Sequence, residues 1–203
     1  MENKSSYHHG DLKNALIVAG VEILAREGVG ALSLRKVAKK AGVSHSAPYA
    51  HFKDKQALIA AISIEGFKEL LAALQEVFEK NETAPGRLLL ETAWVYMEFA
   101  LKESDTFKVM FSGILEKGNE YPDLVDVVQR TFHMVVKVVA ICQANAVLPE
   151  GDAELTSTAL WAQIHGLISL YLEGQISHTI LDRYELKQIL THALNRFTLL
   201  PLQ

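Results

Sequence analysis

The sequence predicts an all-α protein, with an N-terminal three-helix helix-turn-helix head over residues 8–58 and a larger multi-helix body over 59–203. Three observations carry that expectation. Apolar residues recur at helical spacing along nearly the whole chain, and no stretch shows the period-two alternation of a strand. Between Ser33 and Phe52 the order of residues is cap, amphipathic turn, stop, cap, which is the grammar of two short helices joined by a tight turn. Charge is divided along the chain: residues 1–60 hold nine Lys/Arg against five Asp/Glu, whereas residues 61–203 hold eleven against nineteen. A net charge of −4 by itself argues against a nucleic-acid binder, but a basic head on an acidic body restores the attraction to phosphate at one end.

The first helix follows Asp11, a natural cap, and carries Leu12, Ala15, Leu16, Ala19, Ile23 and Leu24 before Gly28 ends it. Ser33 caps the second, in which Leu34, Val37, Ala38 and Ala41 share one face and Arg35, Lys36, Lys39 and Lys40 lie mostly off it. Gly42 suits the left-handed residue that stops a helix, and Ser44 can cap the next. That third helix, over His45–Phe52, is short and polar, with His45, Ser46, Tyr49 and His51 able to hydrogen-bond bases or phosphates. Pro48 is tolerated only near its first turn, so the element is expected to dock in the major groove by its N-terminal end, with Ser44, His45 and Ser46 leading.

The quoted residues resemble a known pattern. Tyr-His-His-Gly-Asp-Leu at 7–12, Leu-Ser-Leu-Arg-Lys-Val-Ala-Lys-Lys-Ala-Gly-Val-Ser at 32–44 and His-Ser-Ala-Pro-Tyr-Ala-His-Phe-Lys-Asp-Lys at 45–55 are similar to the DNA-binding domain of the TetR/AcrR family of transcriptional regulators. The resemblance covers about the first quarter of the chain. It implies that Ser33, Arg35, Ser44, His45, Ser46, Ala47, Tyr49 and His51 contact DNA and that Lys55 contacts a phosphate. Ala50 stands where many members carry a basic residue, so one phosphate contact is expected to be missing. The adjacent His8 and His9 are too few ligands for a metal site, and by the resemblance they belong to the N-terminal arm.

Asp54 caps a long helix to about Lys80, with Leu58, Ile62, Phe67, Leu70, Leu71, Leu74, Val77 and Phe78 at helical spacing. At 1.5 Å per residue it is a rod of roughly 40 Å that can link head to body. Thr83 and Pro85 open the next helix and Ser104 a shorter one with Phe107, Met110, Phe111 and Ile114. A loop is expected over 116–122, then a helix over 123–147 broken by Pro149 and Gly151, and two last helices over 154–174 and 184–200. In the first of these, Ala159, Ala162, Gly166 and Ser169 form a small-residue stripe; in the second, Leu186, Ile189, Leu190, Ala193, Leu194 and Phe197 form an apolar face. One short reading helix touches too few bases for selectivity, so a homodimer is expected, its heads about 34–36 Å apart on a palindromic operator. The resemblance implies that the last two helices make the dimer interface.

Trp94, Met97, Phe107, Met110, Phe111, Trp161 and His165 put bulky, adaptable side chains on several body helices. At this spacing each is more often core than ligand contact. The resemblance nevertheless places a small, mostly apolar effector between these helices, and Trp161, His165 and Gly166 look like the Trp-His-Gly (WHG) signature of one C-terminal domain type. Trp161 and His165 are four apart, so imidazole and indole can stack. Gly166 costs about 1 kcal/mol in a helix interior and calls for a packing reason.

Catalysis is not expected. Cys142 and His133 lie nine residues apart with no orienting third group, and there is no Cys-x-x-Cys, His-Glu-x-x-His, phosphate-binding Gly loop or Gly-x-Ser-x-Gly. No cofactor or metal is expected either. One cysteine, a polar N-terminus and no run of ~20 apolar residues suit a cytoplasmic protein away from any membrane. The competing reading is a helix-turn-helix that grips a protein partner, or an activator, without a small-molecule effector.

Overall fold

A computed structural model describes residues 9–113 and 120–202. The arm residue His8, the side chains of His9 and Asp11, Ile114 and the loop residues 116–119 lie outside the described residues. The described chain is helical and contains no strand. Its helices are α1 (His9–Glu27), α2 (Leu34–Lys40), α3 (Lys55–Asn81), α4 (Pro85–Lys102), α5 (Ser104–Phe111), α6 (Pro122–Ala144), α7 (Ala153–Leu172), α8 (His178–Leu181) and α9 (Leu186–Leu194). Short 3₁₀ turns lie at Val29–Ala31 and Ala47–Ala50.

The chain forms two compact units. The first runs to Phe67 and takes in Asp105–Asp126; the second comprises Lys68–Ser104 and the chain from Val127 on. In the first, Leu16, Ile23, Val37, Leu58 and Ile59 form the centre of one apolar cluster, each at most 2% exposed. Helical spacing places Leu16, Ile23 and Val37 there. Val109 of α5 joins the same cluster, a contact between residues far apart in sequence. α5 also lies close to α3: a Cβ on Gly66 would stand 2.5 Å from the Met110 sulfur and 2.9 Å from Thr106 Cγ2. A bare glycine is what lets the two helices approach.

In the second unit, α4, α7 and α9 pack on one another. Ser157, Leu160, Ile164 and Ile168 form the buried row of α7. Asp152 caps that helix by accepting from the Leu155 N–H (2.9 Å), and Gln163 Nε2 donates to the Ala193 carbonyl of α9 (3.0 Å). Lys187 of α9 forms an ion pair with Glu91 of α4 (3.1 Å).

Several expected elements differ. α1 begins at His9, so Asp11 lies within the helix rather than capping it, and α6 ends at Ala144 rather than Val147. The reading element is no α-helix over 45–52 but a tight turn: Ala47 N–H bonds to the Ser44 carbonyl (3.0 Å) and Tyr49 N–H to that of Ser46 (3.2 Å). Pro48 has no N–H to send back to Ser44, which removes the α-type bond and leaves the i→i+3 pattern. The expected final helix over 184–200 is also shorter. Glu185 opens α9, its N–H donating to Gln188 Oε1 (2.8 Å), and Asn195 ends it. The Asn195 side-chain oxygen accepts from Leu202 N–H (2.8 Å), and Leu199 N–H reaches the Val147 carbonyl (2.9 Å). The chain therefore turns back after Leu194, leaves Phe197 outside the helix and buries Leu202.

Candidate nucleic-acid interface

The candidate surface is built on two buried anchors. Phe52 is 2% exposed and Pro48 is buried, so the turn between them is held from beneath. Above it stand Ser44, His45, Ser46 and Tyr49, all exposed, with Tyr49 at 55%. An exposed tyrosine with no apolar neighbour to cover it is a side chain available for contact. Ala47 is half-buried and Ala50 exposed. Ser44 and Ser46 hydroxyls lie 3.2 Å apart, so one donates to the other and one hydrogen stays available. Gly42, at φ +70°, makes the left-handed turn out of α2. His51 is half-buried, and its Nε2 is enclosed without a hydrogen-bond partner among the described residues.

Ser33 accepts from the Lys36 N–H (3.2 Å), which caps α2 and leaves the hydroxyl hydrogen free to donate. On α2, Lys36 pairs with Glu27 and Lys40 with Glu22, both of α1. Lys40 holds the Glu22 carboxyl below its usual range. Arg35 is exposed. Asp54 Oδ1 accepts from Ala57 N–H (2.8 Å) at the start of α3, where Lys55 is also exposed. The neighbouring Lys53 lies 5.6 Å above the ring of Tyr121.

The effector candidates divide between the two units. Phe107, Met110 and Phe111 belong to the first. There Phe111 meets Phe67 edge-on at 5.5 Å and Phe107 at 4.9 Å, and Phe107 is 3% exposed, as core packing requires. Trp94, Met97, Trp161 and His165 belong to the second. Met97 is fully buried, and the Trp94 ring lies 5.2 Å beneath the Lys187 ammonium. Open grooves of about 420 Å³ along α9 and about 400 Å³ along α1 contain none of the effector candidates.

Trp161 and His165 do come together, but through a residue that helical spacing overlooked. Trp161 Nε1–H donates to the Tyr96 hydroxyl oxygen (3.1 Å), and that hydroxyl lies 2.8 Å from His165 Nδ1. Tryptophan can only donate, so the Tyr96 oxygen accepts from the indole, and the direction of its bond with Nδ1 follows the imidazole tautomer. The imidazole stacks on Tyr96 (28°, 6.4 Å) and meets the indole edge-on (61°, 5.9 Å), which replaces the expected Trp–His stack. Burial lowers the His165 pKa below 6.5 and raises that of Tyr96, although the Trp161 hydrogen bond acts in the opposite direction on the phenol. Both groups are neutral at pH 7. Tyr96 falls off the row of Trp94, Met97 and Leu101, and its hydroxyl was the available signal.

Among the described residues nothing resembling a nucleophile–base pair forms. Cys142 is buried, its thiol donates to the Pro85 carbonyl (3.3 Å), and burial pushes its pKa up to about 12. His133 is exposed. Among the described residues no group of His, Cys, Asp and Glu could hold a metal, and no helix is long and apolar enough to cross a membrane.

Residues 89–194 match the family model described as tetracyclin repressor-like, C-terminal domain. Residues 16–62 match that of bacterial regulatory proteins, tetR family. A solved structure of a protein of unknown function from Rhodococcus sp. RHA1 is 31% identical, with a TM-score of 0.79 over 96% of this chain and 97% of that one. An uncharacterized HTH-type transcriptional regulator of Haemophilus influenzae is 31% identical over 47% of this chain and 50% of its own length. The fatty acid metabolism regulator protein of Bacillus subtilis is 29% identical over 37% of this chain and 39% of its own. The match thus spans half or less of these curated relatives.

Proposed function

The chain belongs to the tetR family of bacterial regulatory proteins, a DNA-binding regulator and not an enzyme, and from that premise we propose that it is a repressor. It binds a palindromic operator as a homodimer and leaves it when a small, mostly apolar effector binds the body. Residues 8–58 read DNA, and 59–203 bind effector and make the dimer. The observation that carries the reading is the exposed polar edge Ser44, His45, Ser46 and Tyr49 standing on buried Pro48 and Phe52. Ser33, Arg35, Ala47, His51 and Lys55 complete the contact surface.

The outer face of α7 supports the dimer. Leu155 and Leu170 are 71% and 50% exposed, and Ala159 and Ala162 are exposed on the same face between them. Each large apolar side chain left in water forgoes about 1.5–3 kcal/mol of burial. Apart from its own helix backbone, none of the described residues comes within 4 Å of where a Cβ on Gly166 would be, so they give no packing reason for a glycine there. A second α7 crossing at that point supplies one. α7 is accordingly one dimer element, and by the family resemblance α9 is the other. Effector binding favours a body arrangement in which α3 moves the paired heads to a separation that no longer matches the half-sites.

A gel shift with DNA from upstream of the coding sequence tests the reading. Wild-type protein retards the duplex, and Tyr49→Ala and Lys55→Ala lose retardation while keeping their helical circular dichroism. Retention of binding by both variants refutes the assigned surface. No binding by wild-type protein at low ionic strength refutes the DNA-reading role and leaves the grip on a protein partner.

A further inference from the structure

The four cations of α2 are sorted into two rows by what they touch. Each residue of an α-helix is turned about 100° from the one before. Taking Leu34, which is buried, as zero, Arg35 and Lys39 fall at about 100° and about 140°, and Lys36 and Lys40 at about 200° and about 240°. The second row is occupied. Lys36 is joined to Glu27 and Lys40 to Glu22, so that row ties α2 to α1, the helix behind it. The first row lies on the flank turned away from those glutamates. Arg35 and Lys39 are exposed, and neither has a carboxylate partner among the described residues.

We infer that Lys39 is a further phosphate-contacting residue, forming with Arg35 a two-cation row that takes the phosphodiester backbone of duplex DNA. This rests on the DNA-binding role proposed above and adds a residue to it. Arg35 and Lys39 are one turn apart, about 6 Å along the helix axis. Duplex DNA presents one negative charge per about 1.7 Å of its axis, so both cations meet phosphate wherever that flank faces the duplex. Lys36 and Lys40 have the same formal charge, yet their ammonium groups already face carboxylates. Moving them to phosphate would break an ion pair for each one made, so they add little to binding. A count of basic residues would treat the four alike; the ion pairs to α1 separate them.

The assignment makes a claim about salt dependence as well as affinity. Each phosphate neutralised by a side chain contributes about 0.9 to the slope of log affinity against log salt. Removing Lys39 therefore lowers the slope by about 0.9 for each bound head. Between about 50 and about 200 mM salt, the advantage of wild type over variant shrinks about 3.5-fold for one head and about 12-fold for two. Phosphate contacts are independent of sequence, so the operator is not needed for this measurement.

The experiment is a fluorescence-anisotropy titration of the full chain against a mixed-sequence duplex over that salt range. Wild type, Lys39→Ala, Lys39→Gln and Lys36→Ala are compared, with stoichiometry fixed at the lowest salt. The expected result is a reduced slope in both Lys39 variants with unchanged thermal stability. Lys36→Ala keeps the wild-type slope and melts lower. A wild-type slope in the Lys39 variants overturns the inference, as does an equal reduction in Lys36→Ala; in both cases wild-type binding still stands. Failure of wild-type protein to bind the duplex at the lowest salt overturns the DNA-binding role along with it.

Discussion

Replacing Gly66 by alanine sets two opposing effects against each other at one position. Gly66 lies inside α3, where alanine is favoured over glycine by about 1 kcal/mol through helix propensity alone. Against that gain, the new Cβ would stand 2.5 Å from the Met110 sulfur and 2.9 Å from Thr106 Cγ2. Met110 is unbranched and can rotate away, so its share of the clash is small. Thr106 is β-branched and held on α5, so relief there requires a shift of the helix itself. Overpacking of this kind costs about 1–3 kcal/mol. The second effect outweighs the first, with a net loss of up to about 2 kcal/mol once the propensity gain is subtracted. At about 2–4 °C per kcal/mol for a chain of this size, the melting temperature falls by up to about 8 °C. Thermal denaturation followed by far-ultraviolet circular dichroism measures it. A Met110→Ala partner variant completes a double-mutant cycle, in which the pair is less destabilising than the sum of its members. A higher melting temperature for Gly66→Ala would show that α3 and α5 are not in close contact and that the glycine is there for another reason.

Gly166→Ala is the opposite case within one chain, where nothing obstructs the methyl group; analytical ultracentrifugation is expected to show weaker self-association together with unchanged or raised helicity. Equal dimer affinity would remove Gly166 from the crossing point. Tyr96→Phe strips the hydroxyl that serves both Trp161 and His165 and lowers unfolding free energy by about 1–2 kcal/mol in urea titrations, because the indole N–H and His165 Nδ1 lose their shared hydrogen-bond partner. The His165 pKa is lowered on folding, so its contribution to stability is complete above the unfolded value of 6.5 and is lost as pH falls through the folded value. Urea midpoints that fall on acidification in the wild type and fall less in His165→Gln are expected; identical pH profiles would exclude the linkage. Cys142 stays unmodified by a thiol reagent at pH 8 while the protein is folded and reacts on unfolding, since its thiol is buried with a pKa pushed up to about 12. Rapid native-state labelling would contradict that burial.

Much of the head could be read from residue order. Leu16, Ile23 and Val37 fall where helical spacing sends them, Ser33 and Asp54 cap the helices they precede, and Gly42 takes the left-handed turn. Those features depend on neighbours a few residues away. The missed ones depend on longer reach or on a lost donor. The tight turn at 47–50 follows from the absent N–H of Pro48, which a pattern of apolar positions does not register. The apolar spacing continues past Leu194 to Phe197, yet α9 stops because Asn195 bonds to a backbone N–H seven residues on. Tyr96 was hidden for a related reason: its hydroxyl joins two side chains of α7, more than sixty positions along the chain. The effector candidates illustrate the limit most clearly, since bulky residues at helical spacing include both fully buried Met97 and the half-exposed Trp161.

Val109 sits in the same apolar cluster as Leu16, Val37 and Leu58. For a chain made from its N-terminus onward, this fixes an order of events. When Phe67 leaves the ribosome, the head has all its own helices but still lacks one wall of its interior. At a synthesis rate of about 5–20 residues per second, several seconds pass before α5 emerges to close it. During that interval the nascent head is open on one side, and a protein cut short after α3 would stay so.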